Sequence, residues 1–145
     1  MSYPTDLLST RAVVKPGLWA VIPKEGLVNN VIPGIEGGKV SIVCSPKMGA
    51  GFTQYIINAK KDCRTTQPFG TDSHIECFIY IVEGETSLTV GEKTQVYGAG
   101  GYAFAPAGEG ISFQVLSDKA KLLLYKQIFV PYKELKPYAV MGNIN

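Results

Sequence analysis

Apolar and polar residues alternate with a period of two along much of this chain. In Ile111–Leu116, the residues Ile111, Phe113 and Val115 fall on one face, and Ser112 and Gln114 on the other. Leu88 and Val90 likewise face away from Ser87 and Thr89 within Glu85–Val90. Cys77, Ile79 and Ile81 share a face in Cys77–Val82, a continuous apolar run closed by Glu83-Gly84, which predicts a buried strand followed by a tight turn. The same reading predicts strands at Leu18–Ile22, Val28–Ile32, Val40–Ser45, Gly51–Ala59, Lys93–Tyr97, Tyr102–Ala105 and Lys121–Phe129. Pro23, Pro33-Gly34, Gly37-Gly38, Pro46, Gly91, Gly98–Gly101, Pro106-Ala107-Gly108 and Ser117-Asp118-Lys119 break the pattern between them. About ten short strands, spaced by roughly 8–12 residues, predict an all-β sandwich or barrel. A helical period is not found, although Tyr132–Leu135 suits a single turn.

The length of 145 residues fits one domain. Residues 1–16 read as an extended N-terminal arm, with Pro4 and Pro16 bracketing exposed aliphatics such as Leu7-Leu8 and Ala12-Val13-Val14. Residues 17–131 carry the barrel, and 132–145, with Pro137 near its start and small polar residues at its end, read as a linker-like exit segment. An arm with exposed aliphatics calls for a surface to lie on, in its own domain or a neighbour.

The chain is 46% hydrophobic and 18% charged, which supports a packed core. A net charge of +2 is too balanced to argue for nucleic acid. Lys60, Lys61 and Arg64 form the one local basic cluster and read as a solvated loop. Three cysteines, Cys44, Cys63 and Cys77, with no CxxC pair, suit a reducing compartment. Neither a signal peptide nor a membrane-length apolar run is evident, so a cytoplasmic protein without membrane contact is expected.

Candidate chemistry is sparse. His74 and Glu76 have strand-face spacing, and with Cys77 they would make an irregular metal site, with Gln67 or Gln114 as a further donor, or a Cys77 nucleophile with His74 as base. The bland reading puts His74 and Glu76 on the loop and rim entering the strand and makes Cys77 a small buried hydrophobe. Gly98–Gly101 lacks phosphate-loop spacing and reads as a hairpin turn. Trp19, Tyr102, Phe104 and Phe113 read as strand aromatics of the core before they read as stacking platforms.

Gly70–Gly84 and Gly100–Gln114 sit where the two motifs of the cupin superfamily would fall, with Gly84, Gly100, Pro106 and Gly108 keeping the frame. More specifically, DLLSTRAVVKPG (Asp6–Gly17), EGLVNNVIPGIE (Glu25–Glu36), SPKMGAGF (Ser45–Phe52), FIYIVEGE (Phe78–Glu85), GGYAFAPAG (Gly100–Gly108) and LYKQIFVP (Leu124–Pro131) resemble the N-terminal half of the ureidoglycine aminohydrolase family. These are two-cupin enzymes of allantoin breakdown and glyoxylate utilisation.

The resemblance implies a jelly-roll barrel, hydrolysis of a C–N bond with release of ammonia, and a manganese ion held in a C-terminal cupin that lies outside these residues. In the cupin pattern the motif glutamate would stand at Cys77, the His-x-His pair within Gly70–Ser73, and the last histidine at Ile111. A cupin site usually draws on several imidazoles, and this chain has one histidine, His74. The expectation is therefore a cupin without metal, cofactor or catalytic residues of its own. Cys77, Ile79, Ile111 and Phe113 are candidates to line a pocket for a small organic ligand. The expected partners are a catalytic cupin or further copies of the chain, reached through the arm and the sheet edges. A stand-alone binding cupin and a hydrolase with the irregular site are the alternatives.

Overall fold

The computed structural model describes residues 11–145, so the first ten residues of the expected arm lie outside the described part. Strands β1 (Val13–Lys15) and β2 (Trp19–Val21) form a separate two-stranded hairpin. It is tied to the barrel by Gly17, whose amide donates to the Met48 carbonyl at 3.3 Å. The barrel is built from β3 (Ile35–Cys44), β4 (Thr53–Thr65), β5 (Ile75–Glu83), β6 (Thr86–Val90), β7 (Lys93–Tyr97), β8 (Gly101–Ala105), β9 (Ser112–Val115), β10 (Lys119–Ile128) and β11 (Val140–Asn143). All pairings are antiparallel, in the order β11-β8-β5-β10-β4-β9-β6-β7, with β3 on β4.

Closure depends on β4. Its first half pairs with β10, while its far end pairs with β9 through Arg64 and Gln114. One strand thus serves two sheets, which requires a bend. Asp62 supplies it with a left-handed backbone (φ 68°), and the register of β3 against β4 shifts between Glu36 and Gly38 at the same level. Gly37 has φ +84°, and a Cβ there would lie 2.9 Å from the Cys63 Cα, so the two bent strands meet where only glycine fits.

The alternation expected from the sequence sets the interior. Ile57, Cys63, Cys77, Ile79, Ile81, Leu88, Ile111, Phe113, Val115, Leu122 and Leu124 are buried in one core cluster. Their intervening neighbours are exposed, as Gln114 and Asn58 are, or half-buried, as Ile56, Phe78, Tyr80 and Leu123 are.

The structure departs from the sequence reading in several places. β3 starts at Ile35 and runs through Gly37-Gly38, which read as a break. Val28–Ile32 forms no strand and keeps only one bridge, Asn30 to Val40. β4 runs past Ala59 to Thr65, because Lys60, Lys61 and Asp62 look like a loop in sequence but lie on the outside of a strand. Within 132–145, Tyr132 and Leu135 close a turn at 3.4 Å, but Val140–Asn143 then form β11 against β8. A segment that reads as linker-like therefore covers a sheet edge.

Gly37→Ala should lower the stability of the barrel by at least about 1–2 kcal/mol, from the left-handed backbone alone. Urea denaturation followed by circular dichroism measures this; an unchanged midpoint would show that the bend tolerates a side chain.

Candidate functional site at the barrel mouth

The end of the barrel where cupin ligands would stand is framed by the start of β5, the end of β10, the start of β4 and the loop before β5. Cross-strand register places Ala105, Cys77, Lys126 and Thr53 side by side around this mouth. Cys77 and Thr53 are buried and Lys126 is half-buried. The loop before β5 is pinned over them, because Phe69 and Ile111 exchange backbone hydrogen bonds of 2.8 and 2.9 Å. The Phe69 ring then meets Tyr55 edge-on at 5.7 Å between centroids. Lys126 Nζ lies 5.7 Å from the Phe69 centroid and 5.9 Å from that of Tyr55, so its charge rests on aromatic faces.

Cys77 is sealed beneath this lid. Its Sγ donates weakly to the Phe69 carbonyl at 3.8 Å. Gly70 has φ +78°, and a Cβ there would fall 2.1 Å from that Sγ, so the loop seats on the thiol only through a glycine. Burial pushes the Cys77 thiol up from 9.0 to about 11, against the opposing pull of Lys126 and with a small push from Glu76. Burial likewise raises Cys63 to about 11, with Lys60 opposing. Burial thus holds both thiols in the neutral form, which does not suit a nucleophile.

The other residues singled out in the sequence are spread apart. His74 is exposed on the loop before β5, and its backbone amide donates to Asp72 Oδ1 at 2.8 Å. Glu76 points to the outer side of β5 and accepts a hydrogen bond from Gln127 Nε2. Cys77 points inward, so His74, Glu76 and Cys77 do not converge. Among the described residues, no group of three His, Cys, Asp or Glu side chains could hold a metal ion. Ile79 and Ile111 are fully buried and Phe113 is 3% exposed, all three packed in the core cluster. Gln67 and Gln114 are exposed.

Lys126, Tyr55, Phe69 and Thr53 were not singled out from the sequence. A signal for one was present: Lys126 continues the inward set of Leu122 and Leu124, and a charge in an inward position marks a mouth. Nothing local in the sequence marks Phe69, because its place depends on the bridge to Ile111.

The raised thiols give a pH dependence of known sign. In the unfolded chain they lose protons near 9.0, while in the fold they keep them to about 11. Stability from this source is full below pH 9 and lost as pH rises towards 11. Denaturation midpoints measured from pH 7 to pH 11 should fall, and a Cys63→Ala/Cys77→Ala variant should fall less steeply; equal slopes would show that the thiols do not contribute.

The family profile of the EutQ-like cupin domain matches residues 51–121. The (S)-ureidoglycine aminohydrolase of Escherichia coli strain K12 is 35% identical over 142 residues, covering 97% of this chain and 54% of that protein. Among solved structures, protein YlbA from E. coli superposes with a TM-score of 0.88 at 35% identity, over 98% of this chain and 59% of that one. A glyoxylate-induced protein from Pseudomonas aeruginosa gives 0.78 at 25% identity, over 98% and 54%. An ethanolamine utilization protein Q from Salmonella typhimurium, at 18% identity and a TM-score of 0.63, shares the fold. This chain thus spans little more than half the length of the first two proteins it resembles. Barrel topology, profile and relatives agree on a cupin fold, in a chain similar along nearly its whole length to about half of an (S)-ureidoglycine aminohydrolase.

Proposed function

We propose that this chain is a non-catalytic cupin that supports a catalytic cupin acting on (S)-ureidoglycine or a close relative of it. The observation that carries this reading is the donor set at the mouth. Divalent manganese takes hard oxygen and imidazole donors. The positions where the cupin pattern puts a glutamate and a histidine hold a neutral buried thiol, Cys77, and a fully buried aliphatic side chain, Ile111. The single imidazole, His74, stands outside on the loop. Phe69 and the Lys126 ammonium cover the remaining approach, and a cation beside Lys126 would be repelled. These residues do not fit the metal.

In such an assembly the barrel contributes rigid, buried-core surface rather than chemistry, and the catalytic groups come from the other cupin. Nearly whole-chain similarity to about half of an aminohydrolase supports a role in the same reaction.

The purified chain, incubated with (S)-ureidoglycine and manganese, should release no ammonia above the rate in buffer. After dialysis it should retain less than about a tenth of an equivalent of any transition metal per chain. Turnover that disappears in His74→Ala, or a stoichiometric bound metal, would overturn the proposal.

A further inference from the structure

At the end of the strands away from the mouth, β3, β4, β10 and β5 border an open cavity of about 550 Å³. Its floor is small, with Gly37, Gly38, Ala59 and Ala120, and its wall is basic. Cross-strand register sets Lys39, Asn58, Lys121 and Glu83 side by side across the four strands. In the next row, Lys60 stands directly opposite Lys119. All four lysines line the cavity; Lys121 is half-buried and the other three are exposed.

This wall holds charge that the fold does not neutralise. Like charges directly opposite in an antiparallel pair repel, and Lys60 and Lys119 are such a pair. Glu83 is the one carboxylate on the lining. It lies 4.0 Å from Lys119 Nζ, too long for a hydrogen bond, and water screens the contact because both groups are exposed. Four lysines and one glutamate leave the cavity at +3, more than the +2 of the whole chain. The surplus is therefore local, and the rest of the molecule is slightly acidic. A concave surface with one sign of charge concentrates counter-ions of the other sign.

We propose that this cavity binds a small molecule carrying a diphosphate group. Lysine ammonium groups are compact point charges that approach a phosphate from any side, and the lining holds no arginine fork of the kind that selects a planar carboxylate. Lys39 and Lys121 stand two strands apart, roughly 9–10 Å at the backbone. That separation suits two linked phosphates better than one. Asn58 lies between them, and its side-chain amide is a donor for the bridging region. Gly37, the residue of the β3 bulge without a register partner on β4, brings backbone rather than a side chain to the floor and leaves room for the group. A diphosphate carries roughly −2 to −3 near neutral pH, which matches the surplus. The inference does not rest on the support role, because it concerns binding at the end of the barrel opposite the mouth.

Amide chemical shifts of the purified chain, followed by NMR during titration with sodium pyrophosphate in ~50 mM sodium chloride, test it. Saturable shifts should centre on Gly37–Lys39, Asn58–Lys60 and Lys119–Lys121, with half-saturation below about 1 mM. Inorganic phosphate should bind at least about tenfold more weakly. Lys60→Gln/Lys121→Gln should raise the half-saturation point at least about tenfold, and Glu83→Gln should lower it about twofold. Should the double variant not fold, the Glu83→Gln shift decides. ADP as a second probe separates the sources: tighter binding than pyrophosphate assigns the site to nucleotides, and equal binding assigns it to the free diphosphate. No saturation by about 10 mM pyrophosphate would overturn the proposal. So would a folded double variant with unchanged half-saturation, equal binding of sulfate at matched ionic strength, or a single-stranded oligonucleotide that binds at least about tenfold more tightly than ADP.

Discussion

Burial of one alternating set of side chains holds the two sheets of this barrel together. Each inward residue loses its water to neighbours from the facing sheet, and filling the interior with Ile, Leu and Val contributes roughly 1.5–3 kcal/mol for each large side chain. The same burial decides what the mouth can do. A position that is packed dry cannot also present a hydrated donor to an ion, because desolvating an unpaired charged ligand costs more than a typical core contact returns. Cys77 and Ile111 lie on the packed side of that choice, and the rise of the Cys77 thiol to about 11 is its electrostatic expression.

Much of the fold was legible because alternation is a local property. Ile111, Phe113 and Val115 declare their shared face within six residues, and the structure buries all three. What was not legible depends on partners distant in sequence. Val28–Ile32 has strand composition, yet only Asn30 finds a bridge, to Val40 on the free edge of β3. Val140–Asn143 looks like a tail, yet it becomes a strand because β8 offers an unpaired edge. Lys60 to Asp62 look like a loop because solvent covers the outside of the bend in β4.

The candidate site divides along the same line. Cys77 and Ile111 could be placed by the glycine and proline frame around them, since Gly84, Pro106 and Gly108 fix short turns. The lid could not. Phe69 reaches the mouth through a bridge to a residue more than a strand-pair away, and its fit above Cys77 rests on a glycine at position 70 that admits no Cβ. Tyr55 and Lys126 join it from two further strands.

The outer face of β5 and β10 accounts for one feature of the sequence that alternation alone leaves over. A strand with one face in water should read apolar-polar, yet Cys77–Val82 reads apolar throughout, and Leu122–Tyr125 does the same. In a parallel sheet such runs are covered by helices on both faces; here the described residues place no helix over β5 or β10. The odd-numbered set of β5 is accounted for by the core. Phe78 and Tyr80 contribute nothing to that core, and exposing rings there lowers solubility without strengthening the barrel. With Tyr102, Leu123 and Tyr125 they form a half-buried layer on the outer side of the sheet, where the rings of Phe78, Tyr102 and Tyr125 shelter one another from water.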